Sequence, residues 1–184
     1  MRKILAAAVL AALLFALGAC GSDDDAAGHN DADVAFAQQM IPHHEQAVMM
    51  SEMAQARAER PQVKDLAADI KAAQGPEIET MRGWLESWDE DVPGGMSGMD
   101  HGDMDHGDMT GMMSEDQMND LEGASGTEFD RMFLQMMIEH HEGAVEMART
   151  EKSDGKAADV IALAEDIERT QTEEIRLMKS LLTS

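Results

Sequence analysis

The sequence predicts an all-α protein, an antiparallel four-helix bundle built from two copies of one helical hairpin. The first observation is that residues 34–87 align without a gap with residues 131–184 when the chain is shifted by 97 positions. The second is that apolar residues in both copies recur every three or four positions, the spacing of one face of an α-helix. An internal duplication of this kind indicates two similar units related by approximate twofold symmetry.

The duplication is specific because polar residues recur as well as apolar ones. The positions of the first copy that meet an identical residue in the second include Phe36, Gln38, Met40, Ile41, His43, His44, Glu45, Ala47, Val48, Met50, Val63, Leu66, Ala67, Asp69, Ile70, Gln74, Glu77, Ile78, Met81 and Leu85. The histidines, the glutamate and the glutamine therefore belong to the repeated unit.

Each copy divides into two helices. In the first copy we expect helices over about 33–58 and from Pro61 to about residue 87, because proline suits the first helical position. In the second copy, Thr127-x-x-Asp130 is expected to open a helix to about residue 152, and the last helix runs to the C-terminus. The chain is accordingly divided into a signal peptide (1–19), a flexible tether (20–32), hairpin repeat 1 (33–88), a Met/His/Asp/Gly-rich linker with a short helix (89–126) and hairpin repeat 2 (127–184).

The first residues have the pattern of a bacterial secretory signal. A basic start, Met1-Arg2-Lys3, precedes an apolar run too short to span a membrane. The run ends in Leu17-Gly18-Ala19-Cys20, which resembles a lipobox and predicts cleavage before Cys20 and lipidation of its sulfur. We therefore expect a lipoprotein anchored on the extracytoplasmic face of the cell membrane. A plain secreted protein is the alternative.

The acidic composition excludes several classes of partner. Removal of the signal peptide leaves 12 basic and 37 acidic residues, a formal charge of −25. Nucleic acids and anionic lipid surfaces require the opposite sign of charge. No nucleic-acid partner is expected, whereas cations are attracted.

Adjacent histidines inside a row of methionines form the repeated motif. "MIPHHEQAVMM" at 40–50 returns as "MIEHHEGAVEM" at 137–147, and on a helical wheel both histidines lie within the apolar arc. Imidazole nitrogen and thioether sulfur are soft ligands that suit copper. The candidate metal ligands are His43, His44, Met40, Met50, His140, His141, Met137 and Met147. Glu77, Gln74, Glu174 and Gln171, on the facing stripes, would orient the imidazole rings. The alternative is a buried polar network that fixes hairpin packing.

The linker carries a second set of soft donors. Asp-His-Gly-Asp-Met occurs twice in tandem at 100–109, and no Lys or Arg lies between Arg82 and Arg131. This composition predicts a flexible chain that buries nothing, so core packing does not explain its methionines. We therefore add His101, His106, Met104 and Met109 to the candidate copper ligands. Low-complexity drift is the alternative.

The doubled motif Met-Ile-x-His-His-x-x-Ala-Val-x-Met, with its Met/His/Gly linker, resembles the "domain of unknown function 305" family over residues 33–184. That resemblance implies a ferritin-like helical bundle in a secreted or membrane-anchored bacterial protein, with copper binding in some members. It assigns the motif role to His43, His44, His140 and His141. Di-iron chemistry is not implied, because that requires Glu-x-x-His on two helices and the sequence has none.

The function expected from these features is extracytoplasmic binding and buffering of copper, as Cu(I), Cu(II) or both, by a lipoprotein without catalytic residues. Two alternatives remain at this point. One is a structural or interaction lipoprotein with buried histidine networks, and the other is a metal-dependent oxidoreductase.

Overall fold

The computed structural model describes residues 28–94 and 110–184. This part of the chain forms five helices: α1 (Asp31–Arg57), α2 (Pro61–Trp88), α3 (Glu115–Gly123), α4 (Gly126–Asp154) and α5 (Ala158–Leu182). The predicted all-helical bundle is confirmed. Pro61 is the first residue of α2, as its sequence position predicts. The signal peptide, Cys20 and the linker residues 95–109 lie outside the described residues.

The helices pack as two hairpins that meet through their first helices. Helix α1 packs against α2, helix α4 packs against α5, and the hairpins join mainly along α1 and α4. The two joining helices are antiparallel, since the C-terminal half of α1 shares one apolar cluster with the N-terminal half of α4, and a second cluster contains the other two halves. An approximate twofold axis therefore passes between the centres of α1 and α4.

Two equivalent aspartates join each hairpin to the other. Asp33, near the start of α1, accepts hydrogen bonds from the backbone N–H groups of Lys156 and Ala157 at 3.1 and 3.0 Å. Asp130, near the start of α4, accepts from Glu59 and Arg60 at 2.9 and 3.0 Å. Each aspartate thus accepts hydrogen bonds from backbone N–H groups that have no partner within a helix, at the start of the second helix of the other hairpin.

The start of α4 corrects one expectation. Thr127-x-x-Asp130 does not open this helix, which begins at Gly126 after Ser125 without a side-chain cap. Asp130 instead binds the other hairpin, because an aspartate so close to a helix start can reach the neighbouring turn as well as its own. Ser114-x-x-Gln117, by contrast, forms the capping box of α3, with reciprocal bonds of 3.3 and 2.8 Å.

A short strap, residues 110–113, carries the end of the linker across α1 and α4. The amide of Gln46 on α1 makes two hydrogen bonds with the backbone of Met113, at 2.9 and 2.8 Å. Gly111 has φ +83° and lies against Gly143 on α4, where an added Cβ would come within 2.8 Å of the Gly111 Cα. A left-handed residue and a close backbone approach both require glycine.

No helix in the described part of the chain is long and apolar enough to cross a membrane.

Gly143→Ala should destabilise the protein through the strap. The new methyl group would overlap the Thr110 carbonyl and the Gly111 Cα, so we expect a loss of about 1–3 kcal/mol in the free energy of unfolding. Gly83→Ala is the matched control, because nothing lies within 4 Å of that added Cβ on α2, and alanine there should stabilise the helix by up to ~1 kcal/mol. Urea unfolding checks both variants, and equal stability of the two would show that the strap is not packed against Gly143.

Candidate metal centre

The first histidine of each pair lies at the approximate twofold axis. His43 on α1 and His140 on α4 are equivalent positions of the two copies, and their rings meet with centroids 3.7 Å apart at an interplanar angle of 38°. Both side chains are fully buried. They meet because a residue on the axis faces its own counterpart.

The second histidine of each pair turns into its own hairpin. His44 Nε2 lies 2.8 Å from a carboxylate oxygen of Glu77 on α2, and His141 Nε2 lies at the same distance from Glu174 on α5. Both histidines are buried, whereas the carboxylates are about one-fifth exposed. The expectation that Glu77 and Glu174 orient imidazoles agrees with this geometry, which fixes the two rings by a hydrogen bond on one nitrogen.

Within the part of the chain that the structure describes, six buried imidazole nitrogens have no partner in hydrogen-bonding geometry. They are both ring nitrogens of His43 and of His140, and the Nδ1 atoms of His44 and His141. A buried polar atom without a partner costs free energy, and most such atoms in folded proteins are satisfied by a group, a water or an ion. The concentration of these nitrogens at one level of the bundle is the chemical signature of the site.

The central pair is held in its neutral form. Burial, followed by the nearby imidazoles of His44 and His141, lowers the pKa of His43 well below its usual value. Burial also lowers the pKa of His140, with smaller contributions from the three other histidines. A neutral imidazole has a free lone pair on one nitrogen, the form in which histidine binds metals.

Only some of the predicted methionines lie near this pair. Met40 and Met137 are fully buried one helical turn before His43 and His140, about 4.5 Å along each helix axis. Met50 and Met147 lie seven residues beyond the same histidines, about 10 Å along the axis, which is too far to share one ion with them. By helix spacing, Met40 and Met137 are therefore the predicted thioethers closest to the central imidazoles.

The donors near the axis are imidazole nitrogens, with thioether sulfurs one helical turn away, and Cu(I) accepts both kinds of ligand. Within residues 28–94 and 110–184, no group of three or more His, Cys, Asp or Glu side chains is placed to hold one metal ion.

Gln74 and Gln171 are buried on the facing helices. Within the described residues, no partner is found for either amide atom of Gln74 or for Oε1 of Gln171. The glutamates one turn further along contact the imidazole nitrogens instead, and an orienting role for the two glutamines stays a prediction. His101, His106, Met104 and Met109 lie outside the described residues.

The strap places the end of the linker at the central pair, which the sequence alone did not suggest. An added Cβ on Gly111 would come within 3.1 Å of the His140 carbonyl oxygen. The sequence feature that could have indicated this strap is a difference between the two motifs: the first has Gln46 where the second has Gly143. Glutamine anchors the strap on one side of the axis, and glycine lets it pass on the other.

These features define a class of protein, a duplicated antiparallel helical bundle whose copies bring buried imidazoles together at their shared axis. The family model "Domain of unknown function (DUF305)" matches residues 33–182. The chain belongs to this family, as its repeated motif predicts. No curated protein matches the chain.

Solved structures of relatives share the fold. A candidate secreted DUF305 protein from Streptomyces coelicolor is 34% identical with a TM-score of 0.71, over 83% of this chain and 92% of that one. The protein CopM in its Cu(II)-bound form is 38% identical with a TM-score of 0.69, over 82% and 95% of the two chains. CopM in its Cu(I)-bound form is 33% identical with a TM-score of 0.67, over the same shares. Copper association therefore occurs in this family.

The buried histidine pair should make the metal-free protein sensitive to acid. Because the folded-state pKa values of His43 and His140 are lowered, the unfolded chain binds more protons below about pH 6.5, and stability falls as pH drops through that value. The slope should approach ~1.4 kcal/mol per pH unit for each histidine. Urea unfolding of wild type and of the His43→Leu/His140→Leu variant between pH 7 and 5 measures it.

The double variant should lose that part of the slope, since leucine replaces each ring with an apolar side chain of similar size. His29→Leu is the control, because His29 lies outside the bundle core, stacked on Trp88. An acid slope that is the same in wild type and double variant would contradict the neutral buried pair.

Proposed function

We propose that this protein is an extracytoplasmic lipoprotein that binds and buffers copper. The observation that carries the proposal is the set of unpartnered, buried imidazole nitrogens at the twofold axis. His43 and His140 would ligate the ion, with Met40 or Met137 adding a thioether. Copper-bound forms of the relative CopM support the choice of metal.

The glutamate-bound histidines have a supporting role in this proposal. The hydrogen bonds from Nε2 of His44 and His141 to Glu77 and Glu174 leave the Nδ1 atoms of these histidines as the remaining nitrogens. These atoms would provide polar surroundings for the central pair. The carboxylates also place negative charge beside the site, which lowers the energy of a bound cation.

The linker supplies the capture step. Its methionines and histidines, including Met104, Met109, His101 and His106, would form a labile coordination shell in water. The strap joins the linker to the bundle next to His140, so a captured ion is delivered close to the buried ligands. The formal charge of −25 left after removal of the signal peptide, 12 basic against 37 acidic residues, raises the local concentration of cations around the protein.

Copper titration of the mature domain tests the proposal. We expect His43→Leu/His140→Leu to lose the tightest Cu(I) site, measured by competition with a chromophoric Cu(I) chelator, while helicity by circular dichroism is kept. Replacing Met104, Met109, His101 and His106 with serine should lower the copper stoichiometry and leave the buried site intact, because the strap is not changed.

His29→Leu is again the control and should bind copper like wild type. A mature domain that binds zinc but neither Cu(I) nor Cu(II) would reverse the choice of metal. A domain that binds no metal at all would leave a lipoprotein whose histidines form a structural network.

Lipid anchoring has a separate test. Cys20 is the only cysteine of the chain and stands at the lipobox position. Cys20→Ser in the full precursor should move the protein from the membrane fraction to the soluble extracytoplasmic fraction, because a cleaved and lipidated cysteine is the proposed anchor. Fractionation and fatty-acid labelling measure the change. An unlabelled wild-type protein in the soluble fraction would favour plain secretion.

A further inference from the structure

The two junctions between the hairpins are equivalent in position but differ in charge. Asp130 is buried and is faced by the guanidinium of Arg60, whose Nε lies 3.2 Å from its carboxylate. At the other junction the residue equivalent to Arg60 is Ala157, so Asp33 has no arginine beside it. This junction also contains Glu151, whose equivalent in the first copy is Ala54.

This junction therefore contains two carboxyl groups, Asp33 and Glu151, whereas the other junction contains one carboxyl group and one guanidinium group. The side chain of Glu151 is 2% exposed, and neither carboxyl oxygen accepts a hydrogen bond. One oxygen lies against Gly155, where an added Cβ would overlap it. A fully ionised carboxylate in such a position would be strongly unfavourable.

Among the described residues, the charged groups that act on Glu151 are carboxylates, and none of them is a cation. Asp33 faces it from α1, and Asp154 and Glu146 are on its own helix. The neighbouring turn contributes the backbone N–H groups of Lys156 and Ala157, and both bind Asp33 rather than Glu151. A proton shared between the two carboxyl groups satisfies both, since Asp33 accepts and Glu151 donates.

The titration behaviour of the pair agrees with this assignment. Burial tends to raise the pKa of Asp33, but hydrogen bonds from Ala157, Asn30, Glu151 and Lys156 outweigh it and lower the net value. Burial, followed by the hydrogen bond to Asp33 and the charges of Asp33 and Asp154, raises the pKa of Glu151 to about 8. Asp33 is thus the anion, and Glu151 is the acid.

A cleft between α1 and α4 reaches Glu151. The cleft has a volume of about 260 Å³ and is lined by Ala32, Ala35, Gln39, Glu146, Thr150 and Glu151, among others. The equivalent positions in the other half of the bundle are all apolar: Phe129, Met132, Met136, Met49, Met53 and Ala54. Helix α3, through Leu121 and Met118, packs on that half.

We propose that Asp33 and Glu151 form a proton-binding site that holds the α4–α5 turn onto the start of α1. In the protonated state the Glu151 O–H donates to the Asp33 carboxylate. When the O–H bond breaks, the proton leaves through the cleft to solvent, two carboxylates face each other, and this junction loosens while the Asp130–Arg60 junction stays closed. The site is independent of copper.

Metal-free unfolding experiments on the whole mature chain, with chelator present, test the site. Folded Glu151 keeps its proton up to about pH 8, whereas the unfolded chain loses it near pH 4.5, so stability falls as pH rises between these values. Relative to Glu151→Gln, the unfolding equilibrium constant of wild type should rise about tenfold per pH unit from pH 6.5 to 7.5 and level off above pH 8.

Glu146→Gln is the matched control, since Glu146 is an exposed carboxylate that lines the same cleft on the same helix. That variant should keep the pH dependence of wild type. If Glu151→Gln also keeps it, the proposal is overturned.

A direct measurement guards against misfolding of the variant. The ¹³C resonance of the Glu151 carboxyl carbon in wild type should titrate with a midpoint near pH 8, and a midpoint near the ordinary value of 4.5 would refute the shared proton. Amide hydrogen exchange above pH 8 should increase at Lys156 and Ala157 but not at Glu59 and Arg60, after correction for the intrinsic pH dependence of exchange. An equal increase at both junctions would also overturn the proposal.

Discussion

The packing of α1 against α4 around an approximate twofold axis is the constraint on which the rest of the structure depends. A residue on the axis meets its own counterpart, so a motif with one buried histidine at that position brings two imidazoles to 3.7 Å. Residues away from the axis form the same contact twice, as His44–Glu77 and His141–Glu174 do, both at 2.8 Å. Duplication of a hairpin therefore concentrates nitrogen donors that one copy could not bring together.

Departures from the symmetry are as informative as the symmetry. The strap crosses α1 and α4 where the motif differs between the copies, with Gln46 anchoring the strap and Gly143 making room for it. Both halves of the α1–α4 interface have an apolar core, but one half is covered by α3, while the other half has a solvent-open cleft with polar lining residues. The two copies also differ at this half of the interface, where the second copy has Glu151 and the first copy has Ala54 at the equivalent position.

Charge is separated between the surface and the core. The strongly acidic exterior attracts cations, whereas the central imidazoles are neutral because burial disfavours their protonated form. Soft, uncharged ligands beneath an acidic surface suit capture followed by retention of a soft cation. Burial lowers the pKa of the central histidines and raises the pKa of Glu151, so these two kinds of buried group respond to pH in opposite senses.

Local patterns in the sequence determined the elements of this fold. The helical spacing of apolar residues, Pro61 at a helix start and the Ser114–Gln117 capping box depend on residues within one or two turns, and so they were predictable. Burial of all four motif histidines also followed from their helical phase.

Only the tertiary structure decided which histidine meets which, that Glu77 rather than Gln74 takes an imidazole, and that Asp130 binds the other hairpin. Asp33 and Asp130 are the same residue type and each lies one position before an aligned copy. This match was the sequence feature that could have indicated the two junctions. Such contacts depend on how two hairpins are rotated and shifted against each other. That arrangement is set by packing across the whole interface, which a local pattern does not encode.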